Sequence, residues 1–382
     1  MFKKECLNLA TLKALNEILK RLNCLRRWTS FIKDDTYNEL AKQGFNCIAA
    51  YLLASYAEEK GKIIHWENFP KIVLYRAFKK VYVSFDTPEH INKQVCEIGN
   101  IEKEAFDEKT KEYITELTNE DFCNFICEGL NTYEMEIYKA ATKLTSKVEL
   151  SAIGKRSTLE YFEKKFEIQK SIKNFYYIPG VKVFNKFYRT YFRRFKKISK
   201  LRNQNRWSVY PYLLNCSVLG HLLDTAIFSY LIGLQNFDER VAAMMFFMGI
   251  FHDLGEVWTT DYPSPIKYGI PGLKKAVDIF EEIMLNKHFF SKISSYIAEN
   301  IRNLLKEKES TFHKWIKPAD MLAADSECWR QCRAGTRDPY FKEAIEKFDK
   351  QLSDNVYQLP PLFQELHDYY LRYAKFAIKD ID

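Results

Sequence analysis

Apolar residues recur at three- and four-residue spacing along most of this 382-residue chain. Leu12, Leu15, Leu19 and Leu22 make one such stripe, and Ile293, Ile297, Ile301 and Leu304 make another. That is the period of a helix with one face in a core. Period-two alternation, the mark of a half-buried strand, is hard to find outside residues 71–85. Glycine (13) and proline (11) are scarce, so little interrupts the helical pattern. The pattern predicts a mainly α fold.

A second pattern lies across the first. Arg27-Trp28 follows LKRLNCLR as Arg206-Trp207 follows SKLRNQN. Downstream, QGFNCIAAYLLASYAEEKG reads like LGHLLDTAIFSYLIGLQNF, AFKKVYVSFDTPEHI like HDLGEVWTTDYPSPI, and IYKAATKL like WIKPADML. Matching Arg27 to Arg206, Phe45 to His221, Asp86 to Asp261 and Thr142 to Asp320 gives nearly constant offsets of 179, 176, 175 and 178. This predicts a tandem duplication with units at 1–197 and 198–382. The Arg-Trp and Asp-x-Pro echoes do not follow from helix periodicity. Opposite His221, His252, Asp253 and Asp320 the first unit would carry Phe45, Ala77, Phe78 and Thr142, side chains that cannot hold a metal. It is therefore expected to be a degenerate copy.

Composition narrows the classes. With 47% apolar residues the chain can fill packed cores, and its length suits two domains. Nine cysteines include no CxxC pair. Cys123/Cys127 and Cys328/Cys332 stand four apart on predicted helices, a spacing for packing, which favours reduced thiols and the cytoplasm. No signal peptide opens the chain, and apolar runs fall short of about twenty residues, so no membrane span is expected. The net charge of +8 suits an anionic ligand.

The chemistry concentrates in residues 246–267, FFMGIFHDLGEVWTTDYPSPIK. A long apolar run delivers His252 and Asp253 together, with Glu256 about one turn later. An imidazole and a carboxylate side by side suit Mn, Co, Fe or Zn. Residues three or four apart share a helix face, which places Glu256 to act on a metal-activated water without being a ligand. Pro263-Ser264-Pro265 predicts a turn holding Asp261 and Lys267 beside the site. His221 lies on an apolar helical stretch, and Asp320 opens another helix after Pro318.

The order H…HD…D, each part on its own amphipathic helix, resembles the HD metal-dependent phosphohydrolases. The bacterial 5'-deoxynucleotidases of that superfamily are the most similar branch. They place an Arg-Trp pair before the first His, as Arg206-Trp207 stands here. Their HD-x-x-E, D-x-P-x-P-x-K and K-x-A-D-x-L segments match HDLGE, DYPSPIK and Lys317-Pro318-Ala319-Asp320-Met321-Leu322. The likeness spans about 201–334, and its ordered elements are specific. It departs at Gly220 and Leu222, which flank the first His where the family has polar residues. The resemblance implies one divalent transition ion on His221, His252, Asp253 and Asp320. It implies Glu256 orienting the attacking water, Arg206 and Lys267 on the phosphate, and Trp207 against the sugar, disfavouring a 2'-hydroxyl. Asp261 would protonate the leaving group, and the substrate would be a deoxynucleoside 5'-monophosphate. Other phosphate esters, such as a nucleoside triphosphate or a cyclic nucleotide, share the ligand set. A nucleotide- or nucleic-acid-binding regulator with a vestigial site is the reading from another class.

Between the units, residues 182–206 carry ten Lys or Arg and no acid, interleaved with Phe and Tyr. This composition suits nucleic acid or phosphates, or else an amphipathic helix with a solvated face. His288 is expected at the surface, and the second His-Asp pair, His367-Asp368, lacks the downstream Glu and Pro-x-Pro and is read as coincidence. The oligomeric state is left open, a dimer included.

Overall fold

The structure is a computed structural model. It describes residues 4–29, 31, 37–83, 89–99, 101–153, 158–186, 191–260, 262, 264–306, 312–336, 338–353 and 359–376. The first half runs through α1 (Leu9–Cys24), α2 (Glu39–Glu59), α3 (Asn68–Tyr82), α4 (Glu89–Ile98), α5 (Lys103–Leu117) and α6 (Glu120–Cys127). It continues with α7 (Tyr133–Ile153), α8 (Thr158–Lys173), α9 (Val181–Lys186) and α10 (Tyr191–Ile198). The second half holds α11 (Val218–Asn236), α12 (Glu239–Phe251), α13 (Glu256–Thr259), α14 (Ser264–Gly269) and α15 (Leu273–His288). The chain closes with α16 (Ser295–Lys306), α17 (His313–Arg333), α18 (Pro339–Ser353) and α19 (Pro361–Phe376). No strand occurs among the described residues, and the alternating stretch at 71–85 is largely α3. Its core residues Phe69, Ile72, Val73 and Tyr75 lie at helical spacing, which overrides the period of two.

Side-chain caps fix where the central helices begin. Asn38 accepts from the Ala41 amide, Ser217 from the Gly220 amide, and Asp238 from the amides of Arg240 and Val241. α11 is buried on every side from Val218 to Leu234, so it is the axis of its half. Around it pack α12, α17 and α2. α12 can approach because Gly249 has no side chain: a Cβ there would lie 2.7 Å from the Ala226 Cα. Two stretches, 218–236 and 239–259, are long and apolar enough to cross a membrane, but 94% and 72% of them are inside the protein, as core helices are.

The basic segment folds as an amphipathic element. Phe184, Phe192, Phe195 and Ile198 enter the core, while Lys182, Arg193, Lys196 and Lys200 face solvent. Arg202 is buried with its guanidinium 4.1 Å over the Tyr37 ring, donating to the Tyr37 hydroxyl. The cysteines are free thiols, with Cys123, Cys328 and Cys332 buried and Cys127 half-buried. His367 is likewise a core residue. It bonds to Asp325 at 2.7 Å, and its exposed neighbour Asp368 takes no part.

Candidate metal centre

Three helices bring the four expected ligands together. His221 sits in the first turn of α11, His252 and Asp253 follow the end of α12, and Asp320 lies in α17. α17 begins at His313, so Asp320 stands inside a helix that contains Pro318 and does not open it. Donor atoms of His221, His252 and Asp253 lie within 4.8 Å of one another. Asp320 Oδ1 adds itself at 2.9 Å from His221 Nε2 and 3.7 Å from His252 Nε2.

Both imidazoles are held from behind. His252 Nδ1 donates to the Gly249 carbonyl at 2.7 Å, which leaves Nε2 as the nitrogen that faces Asp253 and Asp320. That Nε2 is buried and, among the described residues, makes no aligned hydrogen bond, although Asp253 Oδ2 is only 2.9 Å away. His221 Nδ1 donates to Glu327 Oε1 at 3.0 Å. A carboxylate behind a histidine fixes its tautomer and raises its basicity as a ligand.

Glu327 was not legible as a site residue, yet it ties the site together. Its other oxygen accepts from Trp207 Nε1 at 2.8 Å and from Arg206 Nε at 3.1 Å. It stands seven residues after Asp320, two turns on along one face of α17. That spacing was the one available signal. Trp207 holds a left-handed φ of 61°, an unusual state for a bulky residue, kept in place by this bond and by Tyr340 and Phe341 against its ring.

Glu256 does not continue α12 as expected. The helix ends at Phe251, residues 252–255 form a turn, and Glu256 opens the short α13, where it is buried. Gln204 donates to its carbonyl, linking it to the Arg206 segment. Burial lowers the pKa of Lys267, but Asp253 and then Glu256 more than offset it, which places this lysine in the field of the site. Asp261 and Pro263 lie outside the described residues. His288 is half-exposed, parallel to the Trp258 ring, and takes no part in the cluster.

The electrostatics fit a divalent cation. Burial lowers the pKa of His252, yet Asp253 and then Asp320 push it up to about 10. His221 is also raised, its burial and the nearby Arg206 being outweighed by Glu327 and Asp320. Burial alone would raise the carboxyls; Lys317, His221 and His252 hold Asp320 well below the usual range, and Arg206 and His221 hold Glu327 at about 2. A cluster that forces protons onto its imidazoles is short of positive charge. His and carboxylate donors of this kind suit Mn, Co, Fe or Zn.

The first half repeats part of this arrangement. Trp28 has a φ of 58°. An isolated antiparallel bridge joins Arg26 to Asn38, as one joins Asn205 to Ser217. The amide of Arg27 donates to the Tyr37 carbonyl at 2.7 Å, as that of Arg206 does to the Cys216 carbonyl at 2.7 Å. Trp28 Nε1 and Arg27 both donate to Glu149 Oε2, at 3.0 and 3.3 Å. Against Glu149 stands Lys42, as His221 stands against Glu327. Its ammonium donates to Glu149 at 3.2 Å, to Thr145 Oγ1 at 2.8 Å and to Ser146 Oγ at 3.0 Å. Ala77 and Phe78 are packed in the core, on a helix that contacts mainly α1, α6 and α7, whereas α12 runs along α11. Thr142 spends its hydroxyl on the Tyr138 carbonyl. Asp86 and Pro88 lie outside the described residues.

Residues 193–366 match the family model described as 5'-deoxynucleotidase YfbR-like. A 5'-deoxynucleotidase of Photorhabdus laumondii is 27% identical over 178 residues, which is 45% of this chain and 89% of that protein. One from Photorhabdus temperata is 27% identical over 165 residues, 42% of this chain and 82% of that protein. One from Yersinia pestis is 26% identical with the same shares, 42% and 82%. No solved structure matches. The stretch that carries the site, residues 193–366, is thus the part of the chain that is similar to 5'-deoxynucleotidases.

Proposed function

We propose that this chain is a metal-dependent phosphatase of deoxynucleoside 5'-monophosphates. The observation that carries the reading is the meeting of His221, His252, Asp253 and Asp320 at one point, beside an Arg206-Trp207 pair fixed by Glu327. A divalent cation on those four residues would supply Lewis-acid chemistry, polarising a phosphoryl oxygen and lowering the pKa of water. Buried Glu256 takes the proton of the attacking water. Arg206, oriented through its Nε, offers a planar fork to phosphate oxygens, and Lys267 adds a point charge. Asp261 gives its proton to the leaving sugar oxygen, and the Trp207 ring walls off a 2'-hydroxyl. The exposed cations of 182–206 suit the attraction of anionic substrates.

We also read the chain as two HD-like units, 1–197 and 198–382, the first without a metal. The support is the recurrence of the Arg-Trp turn, its left-handed Trp and its buried glutamate in both halves. A cytoplasmic location fits the free cysteines. The deciding experiment is phosphate release by the purified chain supplied with Mn2+, Co2+, Fe2+ or Zn2+. Deoxynucleoside 5'-monophosphates should be cleaved well ahead of deoxynucleoside triphosphates and cyclic nucleotides. Failure to release phosphate from any of them with all four ions would sink the reading.

A further inference from the structure

The seam between the halves is where α2 crosses α11. Two glycines mark it. A Cβ on Gly44 would lie 2.4 Å from the Leu219 carbonyl oxygen, and one on Gly220 would lie 3.2 Å from Leu40 Cδ2. Leu40 and Gly44 on one helix thus face Leu219, Gly220 and Leu223 on the other. Between the seam residues of α11 stands His221, pointing away to Glu327 and Asp320. Between those of α2 stands Lys42, pointing away to Glu149. Both flanks of His221 are buried, and Gly220 packs against Leu40 of the first half.

Each helix is tethered on its far side by the residue at that midpoint. For α11 the tether is His221, bonded to Glu327 and Asp320 of α17, and a cation would extend it to His252 and Asp253. For α2 it is complete. Lys42, with its side chain 1% exposed, has three protons and finds Thr145, Ser146 and Glu149 at 3.2 Å or less. Arg27 links Glu149 to Glu39, so two cations balance two carboxylates among these residues.

We propose that the first half is a built-in, metal-independent partner that positions His221. In it the Lys42 ammonium ties α2 to α7 as a divalent ion would tie α11 to α12 and α17, and α2 so held sets the place of α11 through the Gly44–Leu219 contact. Lys42 and Gly44 are positioning residues, remote from any substrate. A methyl group at 44 drives the Leu219 carbonyl back, and with it the turn that carries His221. The inference does not depend on which phosphate ester is cleaved.

The test is Co2+ titration of the chelator-stripped full-length chain, read by visible ligand-field absorption, which reports ligand geometry. Gly44→Ala should keep its helical circular dichroism yet bind Co2+ about ten- to a hundredfold more weakly, the range seen when support behind a ligand is lost. Its absorption spectrum should change as well, and Gly44→Leu should be more severe. Lys42→Met should lower the Tm of the apo chain, lower that of the Co2+-loaded chain further, and weaken Co2+ binding. Phe122→Leu, in the first-half core away from the seam, should lower Tm without moving the affinity. Unchanged Co2+ affinity and spectrum in Gly44→Ala would overturn the proposal. So would an equal loss of affinity in Phe122→Leu, which would reduce the effect to general loosening. If Lys42→Met or Gly44→Leu fails to fold, the folded Gly44→Ala protein decides the outcome.

Discussion

The two halves hold the same turn and the same buried glutamate, but they differ in how the charge around it is settled. In the first, Glu149 meets Lys42, Arg27 and Trp28, and Glu39 takes the rest of Arg27. In the second, Glu327 meets His221, Arg206 and Trp207, and the far side of His221 looks onto Asp320, with His252 and Asp253 beyond. Lysine against Glu149 belongs to a closed ion network, whereas histidine against Glu327 belongs to a cluster of donors that suits an external cation. Burial pulls the Lys42 pKa down to about 7 against the pull of Glu149, and Lys42 with Arg27 outweighs burial to hold Glu149 at about 2. The candidate metal centre is thus comparable to a salt-bridge network short of one cation. The difference lies as much in the missing α12-like neighbour of α2 as in the ligands themselves.

The largest expected effect attacks that unfinished network directly. Asp253→Ala removes one of the clustered donors, so the chain should lose both its bound transition ion and its phosphatase activity, checked by metal analysis and phosphate release. Retained stoichiometry would return Asp253 to the status of an ordinary surface acid. Next comes Glu256→Ala, which leaves the four ligands in place. It should keep the ion while kcat falls by about 10²–10⁴, the usual cost of losing a general base. An unchanged kcat would show that Glu256 is buried for packing alone.

The third test sets the two glutamates against each other. Glu327→Gln removes the charge behind His221 and Arg206, and should cost about 10- to 100-fold in metal affinity or activity. Glu149→Gln should leave the kcat of the metal-saturated chain nearly unchanged, weaken metal binding as Lys42→Met does, and destabilise the fold by about 3–5 kcal/mol, because Lys42 stays buried without its counter-charge. Thermal unfolding and steady-state kinetics on both variants separate the outcomes. If Glu149→Gln were the one to slow turnover with an unshifted Tm, the first half would be working in catalysis.

How much of this could be read in the chain depends on whether a residue announces its partner. That His221, His252, Asp253 and Asp320 come together was legible because residues of those types in that order on separate helices have few other uses. Glu327 was missed because a carboxylate on a helix reads as a solvated face until its burial is known. Lys42 was missed because a lysine on a helix reads as a solvated charge until its burial against Glu149 is known. The break between α12 and α13 was also hidden, since Gly255 tolerates either a helix or a turn. It is needed where α15 crosses, as a Cβ there would sit 2.6 Å from a Glu281 oxygen. His367 was set aside with Asp368, while its actual partner, Asp325, lies 42 residues away. Sequence neighbours name a site; they do not name what is folded against it.

The smallest effect is expected at Trp207, and it separates substrate from chemistry. Its ring is fixed at both ends, by Nε1 on Glu327 and by Tyr340 and Phe341 against its face. Trp28 is fixed in the same way on Glu149, with Phe31 against its ring, where no substrate is expected. If Trp207 is a wall against the sugar, deoxynucleoside monophosphates should be cleaved with a higher kcat/KM than their ribose counterparts. Trp207→Ala should narrow that gap by roughly tenfold, since a hydroxyl that meets only an apolar wall changes discrimination by about 10–200-fold at most. The change should come mainly from faster ribonucleotide cleavage, because removing a steric barrier helps the excluded substrate more than it harms the accepted one. Trp28→Ala should leave the ratio untouched and lower Tm. A sugar preference that survives in Trp207→Ala would mean that the left-handed Trp serves the fold in both halves, and that the 2'-position is read elsewhere in the second.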